Sequence, residues 1–334
     1  MINLENEERR CNFLEQIVPG GKTYPEKKLN GQHWRNRWKG IKRNWDLYVL
    51  IFPVIVFFIL FEYVPMYGLQ IAFKQFFVTK GIWGSPWIGF DHFTRFFESF
   101  YFLRILTNTL SIGVYQIAAG FPVPILLALM VNEIGRKKFQ KWIQTILYAP
   151  HFLSTVIVVG LMIIFLSQEN GLVNHVLVWM GIKPIAFLTN PGWFKSMFVT
   201  SGVWQQMGWN SIIYLAALAG IDPHLHESAQ MDGASRLRRI WHINLPGLRP
   251  TIIILLILNM GTVLGVGFEK IYLLQNSLNM QASDVISTHV YRSGILGAEY
   301  GFSAAIGLFN SLINFVMLVV VNAIARKVSE TSLW

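Results

Sequence analysis

Charged residues and cysteine are both scarce in this chain of 334 residues. Charged side chains make up 14% of it, whereas soluble domains carry roughly 25%. Cys11 is the single cysteine, so an intrachain disulfide and a structural zinc site built from cysteines are both excluded. Because 53% of the residues are hydrophobic, the composition favours a membrane protein over a soluble one.

The sequence also lacks the residue sets of a catalytic or metal site. His224 and His226 are two positions apart, a spacing that does not place two ligands on one helix face. The tripeptide Gly-Lys-Thr at 21–23 matches the end of a phosphate-binding loop, but Gln16 stands where that loop requires glycine. No nucleophile, base and orienting group converge. The sequence therefore predicts no metal site, no cofactor of its own and no enzymatic activity.

Six long apolar runs interrupt the polar segments of the chain. Each has the roughly 17 to 25 residues that a helix needs to cross a bilayer, and a helix is required because lipid offers no partner to an open backbone group. The sequence therefore predicts an all-α, polytopic membrane protein with six transmembrane helices. The runs are 47–73, 105–132, 142–167, 196–221, 251–268 and 302–325.

The positions of Lys and Arg predict the orientation of these spans, because basic residues are retained on the cytoplasmic side of short loops. Most of the 28 Lys and Arg residues fall before residue 47, at 131–141, at 221–250 and at the C-terminal end. Both termini and the segment 221–250 are therefore predicted to be cytoplasmic. The formal charge of +10 is explained by this bias and by anionic lipid headgroups, so it does not indicate nucleic-acid binding.

The ends of the chain lie outside the spans. Residues 1–44 are polar and lack the apolar core of a cleavable signal; their basic and tryptophan-rich end is typical of an interfacial anchor, although a disordered tail explains the first 30 residues equally well. We divide the chain into this cytoplasmic tail, the first span with its outer loop (45–104), the core of the remaining spans (105–326) and a short cytoplasmic tail (327–334).

The polar segment between the fourth and fifth runs has the features of a stiff, protruding loop. Asp222 is a good N-cap and Pro223 suits the first helical position, so a short helix is predicted to begin there and to end at Gly233. A second short helix is predicted from Ser235 to His242, after which the chain turns back to the membrane at Leu245-Pro246. An ordinary basic loop is the alternative interpretation.

The same segment resembles the cytoplasmic coupling loop of ATP-binding-cassette (ABC) importer permeases, in which E-A-A is followed by glycine and then by I-x-L-P. Ser228 replaces the middle alanine. The resemblance implies the type I importer fold and a separate ATPase that docks on this loop and binds ATP and Mg²⁺. Residues 105–326 would be the permease core. The implied coupling residues are Glu227, Ala229, Asp232, Gly233, Ala234, Leu237, Ile243, Leu245 and Pro246.

Three further stretches, 44–53, 63–73 and 284–294, are similar to permeases of polysaccharide and maltose-type sugar importers, as is 267–276. This resemblance implies a bacterial inner-membrane complex with a second permease that is often non-identical, two ATPase subunits and an extracytoplasmic solute-binding protein. It implies an oligosaccharide cargo, with uronate-containing polymers such as alginate among the candidates.

The fourth run is unusually rich in amide and aromatic side chains for a lipid-facing helix. Polar groups in a span usually turn inward, where rings could stack on a sugar and amides could bond its hydroxyls. Gluing one helix to another is an equally good explanation for any single residue, and Asn310 and Asn314 are weaker candidates. The predicted path residues are Trp204, Gln205, Gln206, Trp209, Asn210, Tyr214, Asn259 and Glu269.

Two other classes of protein remain as alternatives to an importer permease. A secondary transporter or channel would need no docking loop and should carry coupling-ion carboxylates in mid-span, whereas Glu62 and Glu269 lie near span ends. A membrane-embedded enzyme would need a convergent catalytic set.

Overall fold

The computed structural model describes residues 44–328 and 332–333. Within these ranges the chain is helical, and the one β-type contact is an isolated antiparallel bridge between Lys74 and Trp87. The predicted all-α fold is therefore confirmed. Helices of eight or more residues are labelled in chain order: α1 (Trp45–Phe58), α2 (Phe102–Gly120), α3 (Pro122–Asn132), α4 (Lys137–Tyr148), α5 (Thr155–Leu166), α6 (Leu172–Trp179), α7 (Pro191–Ala219), α8 (Pro223–Met231), α9 (Leu245–Met260) and α10 (Tyr300–Val328).

Shorter helical segments extend or connect these helices. The chain divides between Met66 and Tyr67 into two compact units, and the site described below lies in the second. The predicted interfacial anchor at the end of the N-terminal tail, with Trp34 and Trp38, lies outside the described residues. The short segments are Ile59–Tyr63 (π), Val64–Met66, Tyr67–Phe73 (3-10), Gly81–Gly84, Asp91–Phe97, Ala149–Phe152 (3-10), Arg236–Arg239, Ile240–Asn244 (π), Phe268–Leu274, Met280–Ser283, Ile286–Tyr291 and Arg292–Leu296 (π).

Four stretches of the described chain are long and apolar enough to cross a membrane, or five if a bent pair of helices counts as one span. The sequence has six apolar runs, so the structure shows fewer qualifying spans than runs. The run 142–167 does not form one straight helix, because the pair Lys137–Phe152 and Thr155–Leu166 bends by 95°, as in a broken span or a re-entrant loop. α7 has 29 residues, but its Gln and Asn side chains lower its hydropathy. The number six therefore stays a prediction. Within the described part of the chain, the four qualifying stretches are Trp45–Phe73, Phe102–Asn132, Arg236–Met260 and Tyr300–Lys327.

Two boundaries predicted from the sequence are wrong. The run 251–268 does not form one helix, because α9 ends at Met260 and a new short helix begins after Gly267, whose φ is 85°. The second short helix of the loop does not stop near His242 but continues unbroken to Met260. A π turn at Ile240–Asn244 lies just before Pro246 and accommodates its missing N–H without a break.

α7 is the central helix of the second unit. It packs against α2, α3, α4 and α9, and its buried apolar side chains belong to two clusters. Phe194 and Phe198 lie in the cluster that includes Val158 and Ile271, whereas Tyr214 lies in the cluster that includes Leu248. One end of α7 is thus held in the first cluster, and the other end leads into the segment from Asp222 to Pro246.

Candidate functional site

The segment from Asp222 to Pro246, here called the coupling loop, is shaped by local hydrogen bonds. The carboxylate of Asp222 accepts a bond from the backbone N–H of His224 at 3.0 Å, which caps α8. Gly233 has a φ of 71°, a conformation that costs glycine little. The Ser235 hydroxyl accepts a bond from the N–H of Arg238 at 3.4 Å. The predicted start of the first helix and the glycine break are therefore both present.

The base of the coupling loop is held together by close packing. A Cβ built on Gly247 would lie 2.6 Å from Cδ1 of Ile221, so the end of α7 and the start of α9 are in direct contact. Leu245 packs at the edge of the cluster around Leu248. Ile243 is half-buried, whereas Pro246 is exposed. Leu245 therefore anchors the loop to the helix bundle.

The tip of the loop is exposed and carries large apolar side chains. Leu237 is 78% exposed, and Leu225, Met231 and Trp241 are exposed as well. Single exposed apolar residues are normal, but several together on a polar segment mark an interaction surface. The structure places the other predicted residues as follows: Glu227, Asp232 and Gly233 are exposed, and Ala229 and Ala234 are half-buried.

A cavity of 340 Å³ lies among α2, α3, α7 and α9. Four of the eight predicted path residues line it: Gln206, Asn210, Tyr214 and Asn259. The three on α7 are spaced by four positions, which puts them on one helix face. Amide and hydroxyl groups of this kind donate and accept hydrogen bonds without carrying charge, so the wall suits a neutral polyhydroxylated group.

The remaining four predicted path residues do not line this cavity. Gln205 is buried and donates to the carbonyl of Leu153 at 2.9 Å, so it holds two segments together. Trp209 stacks on His151, with ring centroids 4.3 Å apart and an interplanar angle of 4°. Trp204 lines a separate apolar pocket of 630 Å³, and Glu269 is exposed.

Two polar residues at this site were missed by the sequence analysis. Gln116 on α2 lines the cavity, and its place in an otherwise apolar run was a usable signal because polar groups in spans face inward. His151 bonds through Nδ1 to Oε1 of Gln206 at 2.9 Å. That contact joins residues 55 positions apart, so no local pattern in the sequence could have indicated it.

The chain matches the family model described as "binding-protein-dependent transport system inner membrane component" over residues 120–330. It is 42% identical to the polygalacturonan/rhamnogalacturonan transport system permease protein YteP of Bacillus subtilis (strain 168), covering 86% of this chain and 90% of that protein. It is 28% identical to the arabinooligosaccharides transport system permease protein AraP of the same organism, covering 84% and 88%.

The chain is also similar in fold and sequence to chains of two solved structures. A crystal structure of a bacterial ABC transporter involved in the import of the acidic polysaccharide alginate contains a chain that is 46% identical to this one, with a TM-score of 0.81 and coverage of 88% of this chain and 99% of that one. A second structure, in complex with an alginate pentasaccharide-bound periplasmic protein, gives 45% identity and a TM-score of 0.82.

The predicted resemblance to importer permeases is therefore confirmed. The family match covers more than half of the chain, and the similarity to YteP extends over most of both proteins. The chain belongs to the inner membrane components of binding-protein-dependent transport systems, and it has the fold of an ABC importer permease.

Proposed function

We propose that this chain is a permease subunit of an ATP-driven importer that moves oligosaccharides into the cytoplasm. The observation that best supports this proposal is that the same two helices line the cavity and flank the coupling loop. α7 and α9 both contribute amide side chains to the cavity, and the same two helices enter and leave the coupling loop. A movement imposed on the loop would therefore reach the cavity through rigid helices rather than through a flexible linker.

The chemistry of the cavity supports a saccharide cargo. Gln116, Gln206, Asn210 and Asn259 present amides towards the space, and amides match the alternating donors and acceptors of sugar hydroxyls. Neutral contacts of this kind are individually weak, as release into the cytoplasm requires. YteP, AraP and the alginate transporter are all described as acting on saccharides, which supports the same class here.

The proposed assembly follows from the exposed loop. A separate ATPase pair would dock on the coupling loop and would hold ATP and Mg²⁺, while this chain contributes no nucleotide site. A second permease, which we propose to be non-identical, would complete the path, and a solute-binding protein would deliver cargo from outside. Lipid would surround the spans of the inner membrane, with both termini in the cytoplasm. We propose no contact with nucleic acid.

The direct test is uptake by the reconstituted complex in vesicles. We expect ATP-dependent uptake of labelled oligosaccharides from a panel of oligogalacturonates, alginate oligosaccharides and arabino-oligosaccharides, and only with the solute-binding protein present. Uptake that follows an ion gradient and continues without ATP would instead identify a secondary transporter. Failure of every saccharide, with another solute transported, would overturn the cargo.

Docking of the ATPase is tested at Leu237. We propose that the exposed Leu237 side chain inserts into an apolar groove of the ATPase. The change Leu237→Asp should then detach the ATPase, because burying an unpaired carboxylate in such a groove is costly. Leu278→Asp is the matched control, since Leu278 is also an exposed leucine but lies beyond α9, on the proposed outer side. Co-purification of the ATPase should be lost in the first variant and kept in the second. Wild-type stoichiometry with Leu237→Asp would contradict the proposed docking surface.

A further inference from the structure

Lys270 is a buried cation with weak contacts. It lies in the short helix Phe268–Leu274 and is 8% exposed. Its Nζ lies 5.2 Å from the centroid of the Phe198 ring and donates to the carbonyl of Phe198 at 3.4 Å. That distance is longer than the roughly 2.9 Å typical of an N–H···O hydrogen bond, so the bond is weak. Among the ion pairs of the described residues, none includes Lys270.

The ammonium group of Lys270 lies beside the cavity. Gly202 on α7 lines the cavity, and a Cβ built on it would be 3.7 Å from Nζ of Lys270. The absent side chain of Gly202 therefore leaves the ammonium next to the wall. Because Gly202 precedes Gln206 and Asn210 on a helix that runs towards the coupling loop, Lys270 stands at the opposite, outer end of the space.

Packing alone does not account well for a lysine at this place. An apolar side chain of similar size avoids the cost of removing a charge from water, and such replacements are often neutral or stabilising. Lys74 shows what a buried lysine with firm contacts looks like: its Nζ donates to the carbonyl of Ile82 at 2.7 Å and lies 4.8 Å from the Trp87 ring. Lys270 has no comparable short bond among the described contacts.

The cavity wall is compatible with an anion as well as with a neutral group. The residues that line it in the described part of the chain include no Asp or Glu, so no carboxylate there would repel an incoming acidic group. A rotation of the flexible four-carbon stem would bring Nζ of Lys270 past Gly202 into the space. An ammonium that meets a carboxylate in a partly dry cavity forms a charge-assisted hydrogen bond.

We propose that Lys270 binds a sugar carboxylate at the outer end of the cavity and makes this permease selective for uronate-containing oligosaccharides. The inference rests on the proposed function. It adds that the cargo is acidic, and it names the residue that binds the carboxylate of the cargo. The neutral amides further along α7 would then bond the hydroxyls of the same chain, so that one saccharide meets a cation first and uncharged groups afterwards.

The test compares an acidic and a neutral probe in the reconstituted complex. Lys270→Gln removes the charge but keeps an N–H donor for the Phe198 carbonyl. Its half-saturating concentration for trigalacturonate uptake should rise about tenfold, the loss expected for one charge-assisted bond. Uptake of mannotriose, where it occurs, should change little. The same binding protein is used throughout, so the ratio of variant to wild type reports on the permease.

Two matched variants separate charge from packing. Lys195→Gln makes the same charge change on the outer part of α7, where Nζ of Lys195 bonds to the Ser111 hydroxyl at 2.7 Å, and it should leave trigalacturonate uptake unchanged. Lys270→Arg keeps the charge and should retain most of the selectivity. Equal behaviour of Lys270→Gln and Lys195→Gln overturns the inference, as does an equal loss in Lys270→Arg and Lys270→Gln, which would indicate a packing role.

The wild-type result distinguishes this inference from the proposed function. Uptake of mannotriose or arabinotriose without uptake of any uronate would refute the role of Lys270 and leave the saccharide importer intact. Failure to take up any saccharide, with the assembled complex active on a different solute, would overturn the proposed function and the inference with it.

Discussion

The coupling loop and the cavity are built in opposite ways. Within the loop, Asp222 caps its neighbour His224 and Ser235 caps Arg238, so each contact joins residues two or three positions apart. In the cavity, Gln206 is bonded to a residue 55 positions away, and the walls come from four helices. The loop is a local structure, whereas the cavity exists only when distant helices pack together.

The contrast between the loop and the cavity shows which structural features depend on neighbouring residues and which depend on tertiary packing. Caps and glycine turns follow from the chemistry of adjacent residues, so the amino-acid sequence is enough to predict the outline of the loop. A cavity wall depends on which face of each helix meets its neighbours, and that is decided by packing across the whole unit. A substitution that forces the helices around the cavity apart should therefore impair assembly, whereas a substitution in the loop should leave the helix bundle assembled.

The largest effect is expected at Gly113, where α2 meets the turn after α9. A Cβ there would lie 2.0 Å from the carbonyl oxygen of Val263, so Gly113→Ala must push backbone apart and should cost about 3 kcal/mol. The matched control is Gly120→Ala on the same helix, where the new Cβ meets Cγ2 of Val203 at 3.6 Å, an ordinary contact. Thermal midpoints of the purified complexes measure the difference, and equal melting of the two variants would contradict the close packing.

The second effect tests the loop and should spare assembly. In Gly233→Val a β-branched residue is forced to a φ of 71°, which costs of order 1 to 3 kcal/mol locally, so the loop should lose its shape while the bundle survives. We expect substrate-stimulated ATPase activity to fall to the basal rate. Gly181→Val is the control, because Gly181 has a φ of 79° outside the loop. Normal stimulation in Gly233→Val would refute the coupling assignment.

The third prediction uses two adjacent glutamines on α7. Gln205→Ala removes the bond to Leu153 and should lower stability by about 1 kcal/mol, with uptake per folded complex unchanged. Gln206→Ala removes a cavity amide and should raise the half-saturating concentration for uptake roughly fivefold. Melting and uptake are measured for both variants. The reverse assignment of effects would show that the path follows the other face of α7.

The smallest effect is expected at the helix cap of the loop. Asp222→Ala removes the bond to the N–H of His224 and should weaken α8 by about 1 kcal/mol. Amide exchange in 223–231 should then be roughly fivefold faster. Asp232→Ala, at the other end of the same helix, should leave exchange in its first turn unchanged. Equal protection in Asp222→Ala and wild type would mean that the helix is held by other contacts.

Particular residues show how much of the loop could be predicted from the sequence. Asp222, Gly233 and Ser235 occupy the roles that their chemistry predicts. The turn predicted at Leu245-Pro246 was wrong, because proline favours a break only when the preceding turn cannot adjust, and here a π turn does so. The assignment of the named loop residues to ATPase coupling and of the path residues to sugar binding stays a prediction.

The predicted path residues show most clearly what could not be predicted from the sequence. Gln205 and Gln206 are identical in type and adjacent in sequence, yet the first bonds to a backbone carbonyl and the second lines the cavity. Successive residues of a helix point about 100° apart, so their roles depend on what surrounds the helix. Trp209 is a predicted path residue, and the structure stacks its ring on His151, a contact that no spacing in the sequence indicates.

The sequence by itself determined the helical class, the membrane character, the family and the outline of the coupling loop, because these depend on composition and on spacing between neighbouring residues. Only the tertiary structure decided which polar side chains share the cavity, and it alone brought Lys270 beside Gly202. These two residues lie far apart along the chain, so their meeting depends on the packing of whole helices, where a single glycine decides how near two segments can come.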